Sequence, residues 1–164
     1  MKQNSTGQNS TAKEQSLHPT TSGSLQLKPT PNEREPAELD ERILMALRAA
    51  GEKKAINTVV LDLRAIASFT DYFVIASGTN ERQVQAISDE VVDNLKKAGS
   101  PVTRVEGYKT AEWILLDFGD FVMHVFDEKA RKFYDLERLW RESKRVELPP
   151  EFAREVSSPL RSEL

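Results

Sequence analysis

The chain has 164 residues, 38% hydrophobic and 30% charged, with a formal net charge of −3 and no cysteine. That length suits one domain with tails; the near-balanced charge argues against gripping nucleic acid through a broad basic face, and the missing cysteines exclude disulfides and thiolate metal sites. No apolar run approaches the roughly 20 residues of a membrane span, no secretory signal opens the chain, and a reducing, cytoplasmic setting is the expectation.

Residues 1–36 are rich in Ser, Thr, Asn, Gln and Pro and carry no aromatic residue. Such a segment has too little apolar surface to offset ordering entropy, so a disordered polar tail is expected there. Its Ser/Thr content suits an organelle transit peptide, but arginine occurs only at Arg34, which argues against one. The folded part is expected over residues 37–145. Leu39, Ile43, Leu44 and Leu47 fall at helical spacing, with Pro36 at the entrance and Gly51 as the stop.

TVVLDL, from Thr58 to Leu63, and DYFVIAS, from Asp71 to Ser77, are β-branched and apolar. Both predict strands in the centre of a sheet, since neither has a wet face. Gly78-Thr79-Asn80 then opens a long helix, with Asn80 and Gln83 approximating a capping box. Val84, Ile87, Val91, Leu95 and Ala98 form its apolar stripe, and Gly99 and Pro101 end it. A short third strand is expected around Val102 to Glu106.

EWILLDF and FVMHVF are two further β-runs separated by Gly119-Asp120. A two-residue link with glycine is a strong hairpin signal, because glycine supplies the positive φ of the turn. The triplet Asp117-Phe118-Gly119 matches the magnesium-binding letters of protein kinases, but the glycine-rich loop, strand lysine and His-Arg-Asp loop that must accompany it are missing. The hairpin reading pairs Phe118 with Phe121, Leu116 with Met123 and Ile114 with Val125 on one side, all apolar and therefore core. The other side carries Asp117 opposite Val122, Leu115 opposite His124, and Trp113 opposite Phe126. Two readings of that mixed side stay open. It is a partner-binding face anchored by a tryptophan, or it holds an Asp117–His124 pair at a sheet edge with Trp113 packed under a loop. Beyond it, Phe133, Leu136, Leu139 and Trp140 make a helical stripe with a break near Tyr134-Asp135, and residues 146–164 read as a flexible, Pro-interrupted tail.

No catalytic arrangement stands out. Asp117 and Asp120 flank a turn, a place where such residues serve geometry, and with Asp62 they do not converge as a two-metal site requires. His124 is the only histidine of the folded part, so one chain has no histidine-based metal triad. No catalytic residue, metal ligand or cofactor is assigned.

The linked motifs DYFVIASGTNERQVQAI, VEGY and AEWILLDFGDFVMHVFDEKARKFYDLERLW resemble the ribosomal silencing factor family, also called the Iojap family, from about Leu39 to Trp140. The resemblance implies an α+β fold with a mixed sheet of about five strands and helices packed on it, like a nucleotidyltransferase core. It implies a translational repressor, not an enzyme, that binds the large ribosomal subunit through ribosomal protein fourteen and blocks joining of the small subunit. It also implies possible pairing as a homodimer, with no membrane and no sequence-specific nucleic acid as partner. The matching positions point to Trp113 as anchor, to Glu106 and Asp117 as acids facing basic side chains of the ribosomal protein, to His124 as a hydrogen-bonding orienter of Asp117, and to Phe118 at the hairpin tip. A nucleotide-binding or nucleotidyltransferase-like enzyme is the alternative.

Overall fold

The computed structural model describes residues 39–152, so the tail expected over 1–36 and the stretch 153–164 lie outside the described residues. Helix α1, Glu41–Glu52, starts where the Asp40 carboxylate accepts the Arg42 N–H at 2.8 Å, satisfying a donor that a helix start otherwise leaves orphaned. Gly51 lies inside the last turn rather than beyond it, and the reversal falls to Lys54, with φ at 63°.

The remaining elements are β1 (Ile56–Asp62), β2 (Tyr72–Gly78), α2 (Glu81–Lys97), β3 (Arg104–Glu106), β4 (Trp113–Asp117), β5 (Phe121–Asp127), α3 (Glu128–Tyr134), α4 (Leu136–Leu139) and β6 (Lys144–Arg145). The six strands form one mixed sheet in the order β3-β4-β5-β2-β1-β6. Only β2 and β5 run parallel; the other neighbours are antiparallel. The α+β class and the mixed sheet are as expected. The sixth strand is a two-residue pairing of Lys144 and Arg145 with the edge of β1, too short to leave a periodic signal.

Helix α2 follows its sequence closely. The Asn80 side chain accepts the Gln83 N–H at 2.8 Å. The far end closes as a Schellman motif, with Ser100 N–H donating to Leu95 O and Gly99, at φ 87°, donating to Lys96 O. Val84, Ile87, Val91 and Leu95 are all fully buried. With Ile43, Ala46 and Leu47 of α1 they cover one face of the sheet, where Val60, Val74, Ile114, Leu116, Met123 and Val125 meet them in the main core.

The opposite face is covered less completely. Leu61, Phe73, Ile75, Val122 and Phe126 form a second, smaller cluster beneath Ala130 of α3 and Leu136 of α4. The expected stripe along these helices is broken at Asp135, whose φ of 48° is left-handed. The break re-aims the stripe: Leu136 goes inward, while Phe133 and Leu139 are left 79% and 71% exposed. After β6 the chain donates from Val146 N–H to Val60 O at 2.9 Å, and Val146, Leu148 and Phe152 pack on the main core. Residues 146–152 are therefore packed chain. A helical stretch begins at Pro150, a first helical position where proline's missing N–H costs nothing; Phe152 N–H donates to Pro149 O at 2.9 Å and its side chain reaches the core.

Candidate functional site

The β4–β5 hairpin has the register that its two-residue link predicts: Trp113 opposite Phe126, Leu115 opposite His124, and Asp117 opposite Val122. Gly119 takes the positive φ, 92°, and Phe118 N–H donates to Phe121 O at 2.9 Å. The turn is tied to the preceding loop, since Thr70 Oγ1 donates to Gly119 O and Asp71 N–H donates to Asp120 O, both at 3.0 Å. Arg42 of α1 reaches Asp120 at 2.7 Å. The hairpin that carries the predicted site is thereby held at its tip from two directions.

On the less covered face, Trp113 is half-buried. Its indole lies 5.0 Å from the Phe126 ring and 4.7 Å from the Tyr134 ring. Its Nε1–H donates to His124 Nδ1 at 3.0 Å. An indole nitrogen only donates, so His124 must accept at Nδ1 and carry its own proton on Nε2. His124 is 3% exposed. Burial alone drives its pKa from 6.5 down to about 3, so the imidazole is neutral in the fold. No described residue accepts from its Nε2–H; the Phe73 ring packs edge-on against the imidazole at 4.4 Å.

This corrects the expected role of His124. It does not orient Asp117; its one side-chain partner is Trp113, reached diagonally across the hairpin. Asp117 instead accepts the Gly119 N–H at 2.9 Å and lies 3.5 Å from Arg104. Arg104 also bonds Glu106 at 2.6 Å. The β3–β4 register places Arg104 directly opposite Asp117 and Glu106 opposite Leu115. Glu106 therefore shares a face with Asp117 and Trp113, with Arg104 as an internal cation between the two acids. Sequence reasoning missed Arg104; its position two residues before Glu106 on the same strand face was the available signal. Phe118 does not join them. It is 6% exposed, stacked on Phe121 at 4.9 Å within the main core, as strand alternation requires.

The three carboxylates weighed as metal ligands are separately occupied: Asp62 by Arg64 at 2.7 Å, Asp120 by Arg42, and Asp117 by Arg104. Among the described residues no group of three or more His, Cys, Asp or Glu is placed to hold a metal ion, and no helix is long and apolar enough to cross a membrane.

The half-covered aromatic face thus has an acidic rim on β3 and β4. Residues 36–163 match the family model described as ribosomal silencing factor during starvation. This chain belongs to the ribosomal silencing factor family. A ribosomal silencing factor from Halalkalibacterium halodurans is 41% identical over 108 residues, which are 66% of this chain and 92% of that protein. A mouse protein named for mitochondrial assembly of the ribosomal large subunit is 32% identical over 123 residues, 73% of this chain and 53% of the mouse protein. Among solved structures, a Chromobacterium violaceum protein is 33% identical with a TM-score of 0.62, covering 68% of this chain and 90% of that one. The six-stranded sheet and its two unequal helical layers are thus the fold that this chain contributes to the ribosomal silencing factor family. The name of the family describes a silencing factor rather than an enzyme.

Proposed function

We propose that this chain is a cytoplasmic translational repressor that binds the large ribosomal subunit through ribosomal protein fourteen and thereby blocks joining of the small subunit. The match to ribosomal silencing factors along residues 36–163 carries this reading. The geometry supplies a surface suited to it. Trp113 presents a half-buried indole whose remaining area is available to a partner, backed by Phe126 and His124 so that little rotamer freedom is lost on docking. Glu106 and Asp117 sit beside it as acids for a basic ribosomal protein. Arg104 already lies between them, but exposed pairs of this kind contribute only about 0–1 kcal/mol, so a partner's cation displaces or shares it at little cost. His124 and Phe118, buried as they are, support the surface from behind and offer no area of their own.

Co-sedimentation with purified large subunits tests the proposal. Trp113→Ala is expected to weaken binding at least ~30-fold, the equivalent of an anchor worth about 2 kcal/mol or more. Glu106→Lys, a change on an exposed strand edge, is expected to weaken binding without altering the unfolding midpoint. Added wild-type protein should shift joined ribosomes toward free subunits in a density gradient. Undiminished binding by a folded Trp113→Ala protein, or subunit joining indifferent to the wild type, would remove the proposal.

A further inference from the structure

The segment from Glu128 to Arg145 is electrically unlike the rest of the chain. It holds seven Lys and Arg residues (129, 131, 132, 138, 141, 144 and 145) and four acids (128, 135, 137 and 142), a net charge of +3, while the whole chain is at −3 and the remainder therefore at −6. The overall balance hides a segment of net positive charge that runs from α3 through α4 to β6.

Geometry divides its cations into two kinds. Arg131 is committed to the fold: it donates to Asn57 O at 2.7 Å, to Ser77 Oγ at 2.9 Å and to Glu137 at 2.8 Å. Arg145 sits 3.6 Å from the same Glu137, so that acid is already neutralised. Lys129, Lys132, Arg138 and Arg141 are exposed, and none has an acidic partner among the described residues. Lys129, Lys132 and Phe133 fall at i, i+3 and i+4 of α3 and so share one helix face. Phe133 is the most exposed large apolar side chain described, at 79%, its ring edge-on to Tyr134 at 4.9 Å.

Beside this face lies an open cavity of about 710 Å³ lined by Ser77, Lys129, Arg131, Lys132 and Arg145, with Glu128, Asp135 and Glu137 also on its wall. It opens over the start of β1, where Asn57, Thr58 and Val59 line it, beside Ser77 near the carboxyl end of β2. Unpaired lysines that attract phosphates, next to a bare aromatic ring on which a base can stack, are the two elements of sequence-tolerant single-strand recognition.

We propose that the α3 face, through Lys129, Lys132 and Phe133, binds an RNA strand, with the lysines on consecutive phosphates and the phenyl ring against a base. The inference rests on the proposed ribosomal function, in which ribosomal RNA supplies the strand. It assigns the chain a second contact beside the protein contact at Trp113. A contact that is weak alone gains from being tethered, because the first contact holds the second at high effective concentration. The readout is of backbone and stacking, not of base sequence.

Fluorescence anisotropy with a labelled single-stranded RNA of mixed sequence, from about 50 to 200 mM salt, tests it. Wild-type affinity should fall steeply with salt. Lys129→Gln with Lys132→Gln should reduce the slope of log affinity against log salt by about 1.4, roughly 0.7 for each phosphate contact on a single strand, and Phe133→Ala should weaken binding roughly tenfold. Lys96→Gln with Lys97→Gln, at the far end of α2, should change neither. The α3 variants should bind isolated ribosomal protein fourteen as the wild type does. RNA binding absent at the lowest salt, or lost equally in the α2 control, overturns the inference while leaving the proposed function standing. Loss of ribosomal-protein binding in the α3 variants also overturns it, since the face is then a protein contact. Failure of the wild type to bind large subunits at all is the separate outcome that removes the functional reading beneath it.

Discussion

Ser88 and His124 are the two places where the described fold buries a side-chain polar atom without a partner, and they lead to opposite expectations. Ser88 sits in α2 at 1% exposure with its hydroxyl facing no acceptor. Leaving a buried hydroxyl unsatisfied costs about 1–3 kcal/mol, and alanine is the better helix former. Ser88→Ala should therefore stabilise the protein by roughly 1 kcal/mol, seen as a higher urea midpoint at unchanged slope; a lower midpoint would reveal an acceptor for that hydroxyl. His124 keeps one good bond, from Trp113, and its cost appears as a pH dependence. The unfolded imidazole takes a proton below about 6.5, whereas the folded one, surrounded by Trp113, Phe73 and Phe126 and no charged group, resists until about 3. Between those values the unfolded state binds more protons, so stability is full above pH 6.5 and is lost as the pH falls through that window, at no more than about 1.4 kcal/mol per pH unit. His124→Asn cannot titrate and can still accept the indole N–H through Oδ1. Its midpoint should drop less than the wild type's between pH 7.5 and pH 5; equal drops would mean that the imidazole is already charged in the fold.

Gly107 links β3 to β4, and it shows how an element depends on one residue. Its φ of 79° is left-handed, and a Cβ there would run into the carbonyl oxygen of Trp113. Gly107→Ala would have to push β3 away from β4, so it should cost several kcal/mol and disturb the Glu106–Arg104–Asp117 arrangement with it. Thermal unfolding measures the loss, and a neutral result would show that the strand pair yields without strain. The connection was legible only as a loop, because the sequence marks the glycine but not the backbone that crowds it. The hairpin was legible in full: alternation has a period of two and Gly119 fixes the turn, so a single register buries six apolar side chains together. The α3–α4 break was legible in position but not in consequence. Asp135 enters the left-handed region without a glycine to announce it, and one such residue is enough to turn Phe133 and Leu139 outward. For the site, alternation correctly grouped Trp113, Asp117 and His124 on one face but could not say which neighbours bond. His124 meets the indole and Asp117 meets Arg104 because diagonal reach and the β3 register, neither written in β4 or β5 alone, decide it.

Across the described residues as a whole the sheet is clad unequally, and the last described stretch joins the two sides. Trp140, at the end of α4, packs on Phe73 at 5.6 Å on the smaller cluster. Within a few residues β6 pairs with the edge of β1, Val146 bonds Val60, and Leu148 and Phe152 lie on the main core. Residues 140–152 thus form a strap from one helical layer over the sheet edge to the other, and they cap a strand whose backbone would otherwise be free to pair with another chain. A protein ending at Ser143 loses β6 and three half-buried apolar side chains. At roughly 1 kcal/mol for each partly buried side chain, plus the edge hydrogen bonds, the loss is several kcal/mol, a large part of the stability of a domain this size. A protein ending at Phe152 keeps the strap, while the Ser143 form should unfold at a lower urea midpoint than it and associate at high concentration in light scattering. Equal midpoints for the two truncations would mean that the strap lies on the core without holding it.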